Sequence, residues 1–361
     1  MKLNKPWFYD DFVCIASECT DNCCIGWEID IDPASMKRFS CACGEFGDRL
    51  RSAIHKGEDG VNTFAFGEGE RCALLRDDGL CELILNMGED SLCDICALHP
   101  RFFGWYNGLK EGGLGLCCEE VCRLMFSDSA PLTFVSDEIS EQPEPTCDEA
   151  MLSLFLKVRE KLYDVLQDRS RTLSDRMFSA AHYVRDFQKL LDDGDTDVGR
   201  ISVYSHRTDT NIAETIDAVL KLYYEMESIS CEWDERLSQL TAKKTEIIEA
   251  MPRFAVKFAD DMWRYEHIAV YFCYRYFLSG VFEGECVSRI GMMCAAVLSV
   301  QMMDCLTWLE KGALSDWDRI LNLKLFSKQV EYSADNVEML YDAAWDVSVL
   351  APEVIASLVV G

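Results

Sequence analysis

The first third of the chain is rich in cysteine: thirteen of the nineteen cysteines lie within the first 122 residues. They are Cys14, Cys19, Cys23, Cys24, Cys41, Cys43, Cys72, Cys81, Cys93, Cys96, Cys117, Cys118 and Cys122. Thiolates select zinc, cuprous copper or iron–sulfur clusters, and several short cysteine spacings along one chain allow distant segments to converge on one centre. The density and the spacing therefore predict a module that binds a metal.

The other six cysteines stand singly further along the chain. They are Cys147, Cys231, Cys273, Cys286, Cys294 and Cys305. Isolated cysteines on apolar helices usually act as small core side chains. We therefore expect these six to take no part in metal chemistry.

The chain begins MKLNKPWFYDDF, which lacks the apolar stretch of a signal peptide. We therefore expect a cytoplasmic, reducing location, where disulfides are disfavoured and a cysteine-dense module is metal-binding or redox-active. No run approaches the ~20 apolar residues that cross a bilayer. This predicts a soluble protein without a membrane partner.

The formal net charge of −28 bears on the partners of the protein. It argues against nucleic acid, because phosphate binding needs a basic face. It is compatible with a cationic partner, such as a lysine-bearing protein surface, and more simply with a solvated acidic exterior.

The length of 361 residues exceeds the size at which a single core usually stops growing, and the cysteine distribution agrees with two domains. We predict a cysteine-rich metal-binding module at 1–126, a linker at 127–150 and a helical domain at 151–361. The linker segment has three prolines, seven acidic residues and no basic one.

Apolar residues recur at helical spacing after this segment, and Asp148 is placed to cap the first helix. We predict helices near 151–165, 177–191, 211–227, 234–250, 254–280, 285–311, 315–329 and 335–346. The module before the linker is loop-rich, with a short strand expected at 27–32 and short helices at 33–39 and 47–55. The predicted fold class is therefore mainly α, with an all-α second domain.

Four separated blocks of the module carry a recognisable layout. They read FVCIASECTDNCCIGWEIDID (12–32), RCALLRDDGLCEL (71–83), SLCDICALHPRF (91–102) and LGLCCEEVCRL (114–124). Taken together and in this order, they resemble the flagellin lysine-N-methylase family. The resemblance implies transfer of a methyl group from S-adenosylmethionine to flagellin lysines, with flagellin or another lysine-bearing protein as the partner and the cysteines holding an iron–sulfur cluster.

Carried over position by position, the cysteine set of the family gives eight candidate ligands. They are Cys14, Cys19, Cys23, Cys24, Cys72, Cys81, Cys96 and Cys118. The chain departs from the family where Ser-Cys-Pro-Glu is replaced by Cys117-Cys118-Glu119-Glu120. Extra cysteines also leave the ligand choice open, because Cys93 and Cys96 form a C-x-x-C that can bind metal by itself.

Several metal contents fit eight thiolates. A [4Fe-4S] cluster takes four and a tetrahedral zinc takes four, so one cluster plus zinc, two clusters, or one cluster with structural cysteines all remain open. The C-x-x-x-C-x-x-C run of radical adenosylmethionine enzymes is absent from the sequence. We therefore favour a structural or substrate-orienting metal over a redox one.

Methyl transfer to lysine needs the neutral amine, although the reference pKa of lysine is ~10.4. Glu120 is our first candidate to take the proton, and a surface or salt-bridged role beside Arg123 is the alternative. Trp27, Arg101 and Arg123 are candidates for holding the methyl donor. No glycine-rich nucleotide loop follows a strand, so we expect the donor pocket between the two domains.

Two further functions remain open on the sequence. One is a non-enzymatic metal-binding or metal-sensing protein whose helical domain recruits a partner. The other is an iron–sulfur redox protein that passes electrons to a partner enzyme.

Overall fold

A computed structural model describes residues 1–26, 29–57, 60–67, 71–142, 144–203 and 210–361. Within these ranges the chain is mainly helical, as predicted. The helices of the amino-terminal third are α1 (Pro33–Ser40), α2 (Gly44–Ser52), α3 (Glu82–Met87), α4 (Asp94–Leu98) and α5 (Glu119–Met125). Those that follow are α6 (Glu149–Leu166), α7 (Leu173–Asp192), α8 (Ile212–Glu225), α9 (Cys231–Ala242), α10 (Lys244–Lys257), α11 (Trp263–Tyr276), α12 (Val287–Lys311), α13 (Asp316–Glu331), α14 (Ala334–Asp346) and α15 (Pro352–Ala356).

A four-stranded sheet covers one side of the helices, and sequence patterning did not predict it. The strands are β1 (Lys2–Pro6), β4 (Arg101–Tyr106), β5 (Leu109–Leu114) and β6 (Phe134–Glu138), while β2 (Ile54–Lys56) and β3 (Asn62–Phe64) form a separate antiparallel hairpin. The sheet order is β4-β5-β1-β6, with β1 parallel to β5 and antiparallel to β6. The hydroxyl of Tyr274 on α11 donates to the carbonyls of Asn4 (2.7 Å) and Gly112 (3.0 Å), which ties the sheet to the helices.

Two hydrophobic cores organise the chain. The larger core combines side chains from the sheet, from α5 and from the later helices, including Leu116, Val121 and Phe272. The smaller core is built from Ile29, Ile31, Phe39, Leu50, Ala53, Phe64, Cys72, Leu74, Leu83 and Cys93. The segment predicted as a linker contributes β6 to the sheet. The division into domains at 126 and 150 stays a prediction.

Helix α12 runs through the centre of the helical part. By length and composition it could cross a membrane, with a mean hydropathy of 1.5 over its most apolar window, but that window is entirely buried inside the protein. It also carries buried polar side chains, among them Gln301 and Asp304. These are the properties of a core helix.

The sequence predicted the start of α6 correctly, because a capping residue marks it. The Asp148 carboxylate accepts from the Met151 N–H and caps α6, as expected. The predicted helix at 234–250 is instead two helices, which meet at Lys243. The predicted strand at 27–32 begins outside the described residues, and Asp30 forms only an isolated bridge with Thr63.

Candidate functional site

Six thiols converge beside the smaller core. They are Cys23, Cys24, Cys72, Cys81, Cys93 and Cys96, each of which affects the pKa of others in the set. The backbone brings two of the segments together, because the Cys72 N–H donates to the Cys24 carbonyl at 2.8 Å. Cys81 and Cys93 stand directly before α3 and α4, at the N-cap position of each helix. Four separate segments thus supply one thiol cluster.

Asp32 holds this arrangement in register. Its carboxylate accepts from the Ser35 N–H at 2.8 Å and so caps α1, and it also accepts from the Asp94 N–H at 3.0 Å at the start of α4. Although burial opposes ionisation, hydrogen bonds from Ser35 and Asp94 lower the pKa of Asp32 to about 2. One charged group therefore links the first turns of two helices.

The thiols of the cluster are paired by hydrogen bonds. The Cys93 and Cys96 sulfurs lie 3.3 Å apart, and this contact lowers the pKa of Cys93 and raises that of Cys96. In the same way, the hydrogen bond between the two thiols lowers the pKa of Cys23 and raises that of Cys24. Burial raises the pKa of Cys72 to about 11. Each pair therefore favours one thiolate and one thiol.

A second group of thiols lies against α5, around Glu119. Burial raises the pKa of Cys19 to about 11, with the charge of Glu119 adding to the effect, and raises that of Cys118 to about 12. Cys122 is fully buried and its thiol donates to the Leu116 carbonyl at 3.1 Å. Of this group, Cys122 belongs to the larger core and Cys118 packs against it.

Helix α13 contacts the cysteine-bearing loop directly. Lys324 and Lys328 both lie 3.2 Å from the Asp21 carboxylate, and these two ammonium groups lower the pKa of Asp21 despite its burial. The Glu119 carboxylate accepts from the Thr20 N–H and hydroxyl at 2.9 and 2.6 Å. The later helices therefore hold the loop that carries Cys19, Cys23 and Cys24.

The donor chemistry of the thiol cluster fits a thiophilic metal, since it offers at least four sulfurs within one small region. Among the residues that the structure describes, however, no three His, Cys, Asp or Glu side chains are arranged at metal-binding spacing. The sulfurs are instead engaged with one another. The thiols therefore suit a metal by their chemistry and by their common location, and the metal itself stays a prediction.

A cavity of about 210 Å³ lies beside the thiols, where β4 and the loop after β5 meet α11 and α13. Its lining is formed by Ile95, His99, Pro100, Arg101, Phe102, Gly115, Cys117, Arg275, Glu331 and Tyr332. Residues before the predicted linker supply one wall and residues of the helical part supply the other. That this cavity is a donor pocket stays a prediction.

One wall of the cavity connects it to the thiols. The His99 Nε2 lies 3.2 Å from the Tyr332 hydroxyl and 3.9 Å from the Cys117 sulfur. Burial disfavours the imidazolium, but hydrogen bonds with the thiols of Cys117 and Cys23 raise the pKa of His99 to about 10. Cys23 thus interacts both with the thiol cluster and with this wall.

The opposite wall is an ordered polar network from α11 and α13. The Glu331 side chain, 1% exposed, accepts from Tyr276 at 2.7 Å, from the Ser327 hydroxyl and from Tyr271 at 3.3 Å, and it lies 3.2 Å from the Arg275 Nε. The Arg275 guanidinium lies 4.3 Å from the centre of the Phe102 ring. Sequence reasoning missed this network, because its residues look like ordinary helical core and surface positions.

The other predicted site residues lie as follows. Glu120 is buried and forms a bidentate ion pair with Arg123, with both contacts at 2.6 Å; this is the salt-bridged alternative, and neither residue lines the cavity. Arg101 does line it. Trp27 lies outside the described residues. Cys14 is exposed, and its sulfur accepts from the Ala16 N–H at 3.4 Å, so the structure does not bring it to the thiol cluster.

The fold and the site together define a mainly α-helical protein with a thiol-rich module packed beside a cavity. The family model for the FliB lysine N-methylase C-terminal domain matches residues 159–352, which is more than half of the chain. The chain therefore belongs to the FliB lysine N-methylase family.

Individual relatives of the chain agree with this family assignment. A lysine-N-methylase of Salmonella choleraesuis (strain SC-B67) and one of Salmonella typhimurium (strain LT2) are each 26% identical over 164 residues, which is 42% of this chain and 41% of each relative. A flagellar biosynthetic protein FliU of Salmonella muenchen is 27% identical over 135 residues, which is 35% of this chain and 78% of that protein. The chain thus matches about two fifths of the length of the two methylases. No solved structure matches it.

Proposed function

We propose that this protein is a methyltransferase that moves a methyl group from S-adenosylmethionine to lysine side chains of a flagellar protein. We further propose that the reaction takes place at the cavity between β4 and α13. Its relatives include lysine-N-methylases and a flagellar biosynthetic protein, which supports the reaction class. The observation that carries the location is the cavity itself, where α11 and α13, both within the region that matches the family, meet the thiol-bearing segment.

The transfer is a single displacement. The lone pair of the lysine amine attacks the methyl carbon, the carbon–sulfur bond breaks, and S-adenosylhomocysteine leaves with the electron pair. The amine must lose a proton before it can attack, because its lone pair forms the new bond. The proton passes to solvent.

The site favours the neutral amine through its surroundings. The Glu331 carboxylate already accepts from Arg275 and from three hydroxyl groups, so its oxygens are engaged within the wall of the cavity. A buried amine beside the Arg275 guanidinium and the sulfonium of the donor loses its proton more readily, because like charge and desolvation both disfavour the ammonium form. Phe102 and Tyr332 supply aromatic surface for the sulfonium of the donor.

For the thiol cluster, we propose an iron–sulfur cluster or zinc held by sulfurs chosen from Cys24, Cys72, Cys81, Cys93 and Cys96. Such a metal supplies folding free energy to a loop-rich module, which is the role we assign to it. Measurement of iron, acid-labile sulfide and zinc in the anaerobically purified protein distinguishes an iron–sulfur cluster from zinc. A reversible redox couple without binding of a methyl donor would favour an electron carrier instead.

A cytoplasmic location is part of the proposed function.

The test is methyl transfer by the anaerobically purified holoprotein from labelled S-adenosylmethionine to flagellin of the same organism. We expect label on lysine in the wild type and at least about a tenfold loss in Gly115→Val. A Cβ on Gly115 would lie 3.1 Å from the Cys117 sulfur and 3.5 Å from the Arg275 guanidinium, at the cavity wall.

Gly108→Val is the matched control, because a Cβ on Gly108 at the turn between β4 and β5 meets nothing within 4 Å. It should transfer like the wild type. Thermal unfolding of both variants checks that they fold. Absence of transfer by the wild type would overturn the proposed function, and full activity of folded Gly115→Val would move the reaction away from the cavity.

A further inference from the structure

The four-stranded sheet has one edge that the chain itself covers and one that it leaves open. At the β4 edge, the Trp105 carbonyl accepts from the Thr146 hydroxyl at 3.1 Å, and Asn107, just after the strand, is also bound by Thr146. Strand β6 forms the other edge, and its residues 135–138 are exposed to solvent. An open edge presents backbone groups to which another strand can add.

The register shows which backbone groups of β6 point outward. Ile139 and Met1, just beyond the two strand ends, bond to each other through both backbones, at 2.9 and 3.2 Å. Because bonded and non-bonded residue pairs alternate along antiparallel strands, the odd-numbered residues of β6 bond to β1. The even-numbered residues direct their N–H and carbonyl groups away from β1, and no other group in the described ranges bonds to them. They are Phe134, Ser136 and Glu138.

Strand β6 is held in place from the side of the helices and of β1. It pairs with β1 over five residues. The Phe134 ring stacks on those of Tyr163 and Tyr274, with centroid distances of 5.1 and 4.3 Å. The Ser136 hydroxyl donates to the side-chain oxygen of Asn4 at 3.2 Å. A partner strand therefore meets an ordered template, and little entropy is lost on the side of this protein.

The charge that this edge shows to solvent is negative. The Lys5 ammonium lies 2.6 Å from the Asp10 carboxylate and 2.7 Å from that of Asp137, and the Lys110 ammonium lies 2.5 Å from Glu141. In these ion pairs the two lysine side chains are only 8% and 13% exposed, whereas the three carboxylate side chains are between 48% and 69% exposed. A ligand that approaches β6 therefore meets carboxylates, with their ammonium partners behind them.

The surrounding chain keeps this sign. Glu138 is exposed, and the exposed Lys2, which faces it across the pairing with β1, offsets one charge. The segment 127–150, which contains β6, has seven acidic residues and no basic one. A second copy of this chain would bring the same carboxylates against one another, so charge opposes pairing between two β6 edges. Charge complementarity instead favours a strand that carries lysine.

We propose that the β6 edge binds an extended, lysine-bearing segment of the substrate protein, which adds to the sheet beside β6. The strand addition stands on the edge itself, and the source of the segment rests on the proposed function. Backbone hydrogen bonds to Ser136 and its even-numbered neighbours supply affinity. Side chains alternate along the added strand, so every second one lies on the face that carries Asp137, where a lysine meets its carboxylate.

Fluorescence anisotropy tests the strand addition with a short labelled peptide of alternating lysine and valine. Its binding is measured to the wild-type holoprotein, to Ser136→Pro and to Ser136→Ala. Proline at this position removes an N–H that points outward, which an edge strand tolerates, and its ring obstructs the approach of another strand. Ser136→Ala is the matched control, because it loses the same hydroxyl bond to Asn4 but keeps the N–H. Thermal unfolding checks the fold of both variants.

We expect the wild type and Ser136→Ala to bind the lysine peptide alike, and Ser136→Pro to bind it at least about tenfold more weakly. A peptide of alternating glutamate and valine should not bind. Salt should weaken binding of the lysine peptide, because it screens exposed charges. N-methylation of every second backbone nitrogen of the lysine peptide should abolish its binding to the wild type, which tests strand addition without any substitution in the protein.

The source of the segment is tested by methyl transfer to flagellin of the same organism. Ser136→Pro should raise the KM for flagellin at least about fivefold and leave kcat unchanged, because docking at the edge is binding that the ground state and the transition state share. Ser136→Ala should show the wild-type KM.

No binding of the lysine peptide by the wild type, equal binding of the glutamate peptide, or unchanged binding by folded Ser136→Pro would overturn the β6 site and leave the methyltransferase proposal standing. A dimer in analytical ultracentrifugation that Ser136→Pro dissociates would make a second copy the occupant and overturn the lysine-bearing segment. Peptide binding that depends on Ser136 with an unchanged KM for flagellin would overturn the substrate as its source. Absence of methyl transfer by the wild type would overturn the proposed function and the substrate as the source, while the peptide comparison still decides the strand addition.

Discussion

Replacing Asp32 by alanine should open the thiol module without unfolding the helical part. The carboxylate caps α1 through Ser35 and also accepts from the Asp94 N–H at 3.0 Å. Loss of a helix cap costs about 1 kcal/mol, and loss of a hydrogen bond to a charged group costs about 1.5–3 kcal/mol. The two terms sum to about 2.5–4 kcal/mol. Asp32 is half-buried, so water replaces part of the lost interaction and we take about 2–3 kcal/mol.

The readout is the reactivity of the thiols that α4 positions. Cys93 is fully buried and Cys96 is half-buried, so alkylation of this pair reports local opening of the module. At about 1.36 kcal/mol for each factor of ten, Asp32→Ala should raise their alkylation rate about 30- to 150-fold. Mass spectrometry locates the label, and Cys273 in the core of the helical part should stay unlabelled.

Asp78→Ala is the control for the loss of a carboxylate in the same module. Asp78 is exposed and bonds to Arg76 and to the Leu80 N–H, away from α1 and α4. It should alkylate at nearly the wild-type rate. Equal rates in Asp32→Ala and Asp78→Ala would refute the role of Asp32 as the link between the two helices.

Because the Asp32 carboxylate must be ionised to link α1 and α4, the stability of this link should depend on pH. The pKa of Asp32 falls from the ordinary 3.8 to about 2 in the folded protein, so its contribution is present above about pH 4 and is lost as the pH falls toward 2. Alkylation is too slow in acid to follow this directly. Hydrogen exchange of the α4 amides between pH 4 and pH 2 should therefore rise more steeply in the wild type than in Asp32→Ala, after correction for the intrinsic rates.

Three further predictions concern the metal and the packing. Cys93→Ser should lower the bound iron or zinc per chain, whereas Cys273→Ser, which alters a buried core thiol, should not. Glu111→Gln should destabilise the protein by about 3 kcal/mol or more in chemical denaturation, because it leaves the buried Arg159 guanidinium without its counter-ion. Asp21→Asn should increase proteolysis within the loop of the first thiols, because the two lysines of α13 lose the carboxylate that holds this loop; unchanged cleavage would contradict that role.

Periodicity predicted the helical part well because each helix there buries one apolar stripe. Phe155, Val158 and Leu162 are fully buried on α6 at the predicted spacing. The sheet was not predicted because its strands are short and do not alternate clearly. In β5, Gly112 and Gly113 replace the branched residues that usually mark a strand, and they let the rings of Phe103 and Phe102 lie close against the backbone.

The candidate site was predicted only in part, since spacing along the chain says little about convergence in space. The family resemblance does not include Cys93 among its eight candidate ligands, although the C-x-x-C with Cys96 left it open as one; in the structure Cys93 is fully buried within the thiol cluster. Cys14 was a candidate ligand by position, yet it is exposed. Arg275 and Glu331 reach the cavity from helices that are distant in sequence from the cysteines, so no local motif could indicate them.

The connection between the thiols and the cavity is short and covalent. Helix α4 ends at Leu98, and the next three residues, His99, Pro100 and Arg101, all line the cavity before β4 begins its pairing with β5. A metal bound at Cys93 and Cys96 would therefore fix one end of the segment whose other end enters the sheet beside the cavity. Because the paired strand fixes the far side, the position of Arg101 depends on both attachments. Under the proposed function, a structural metal would therefore affect methyl transfer through the position of this segment, without any part in the chemistry.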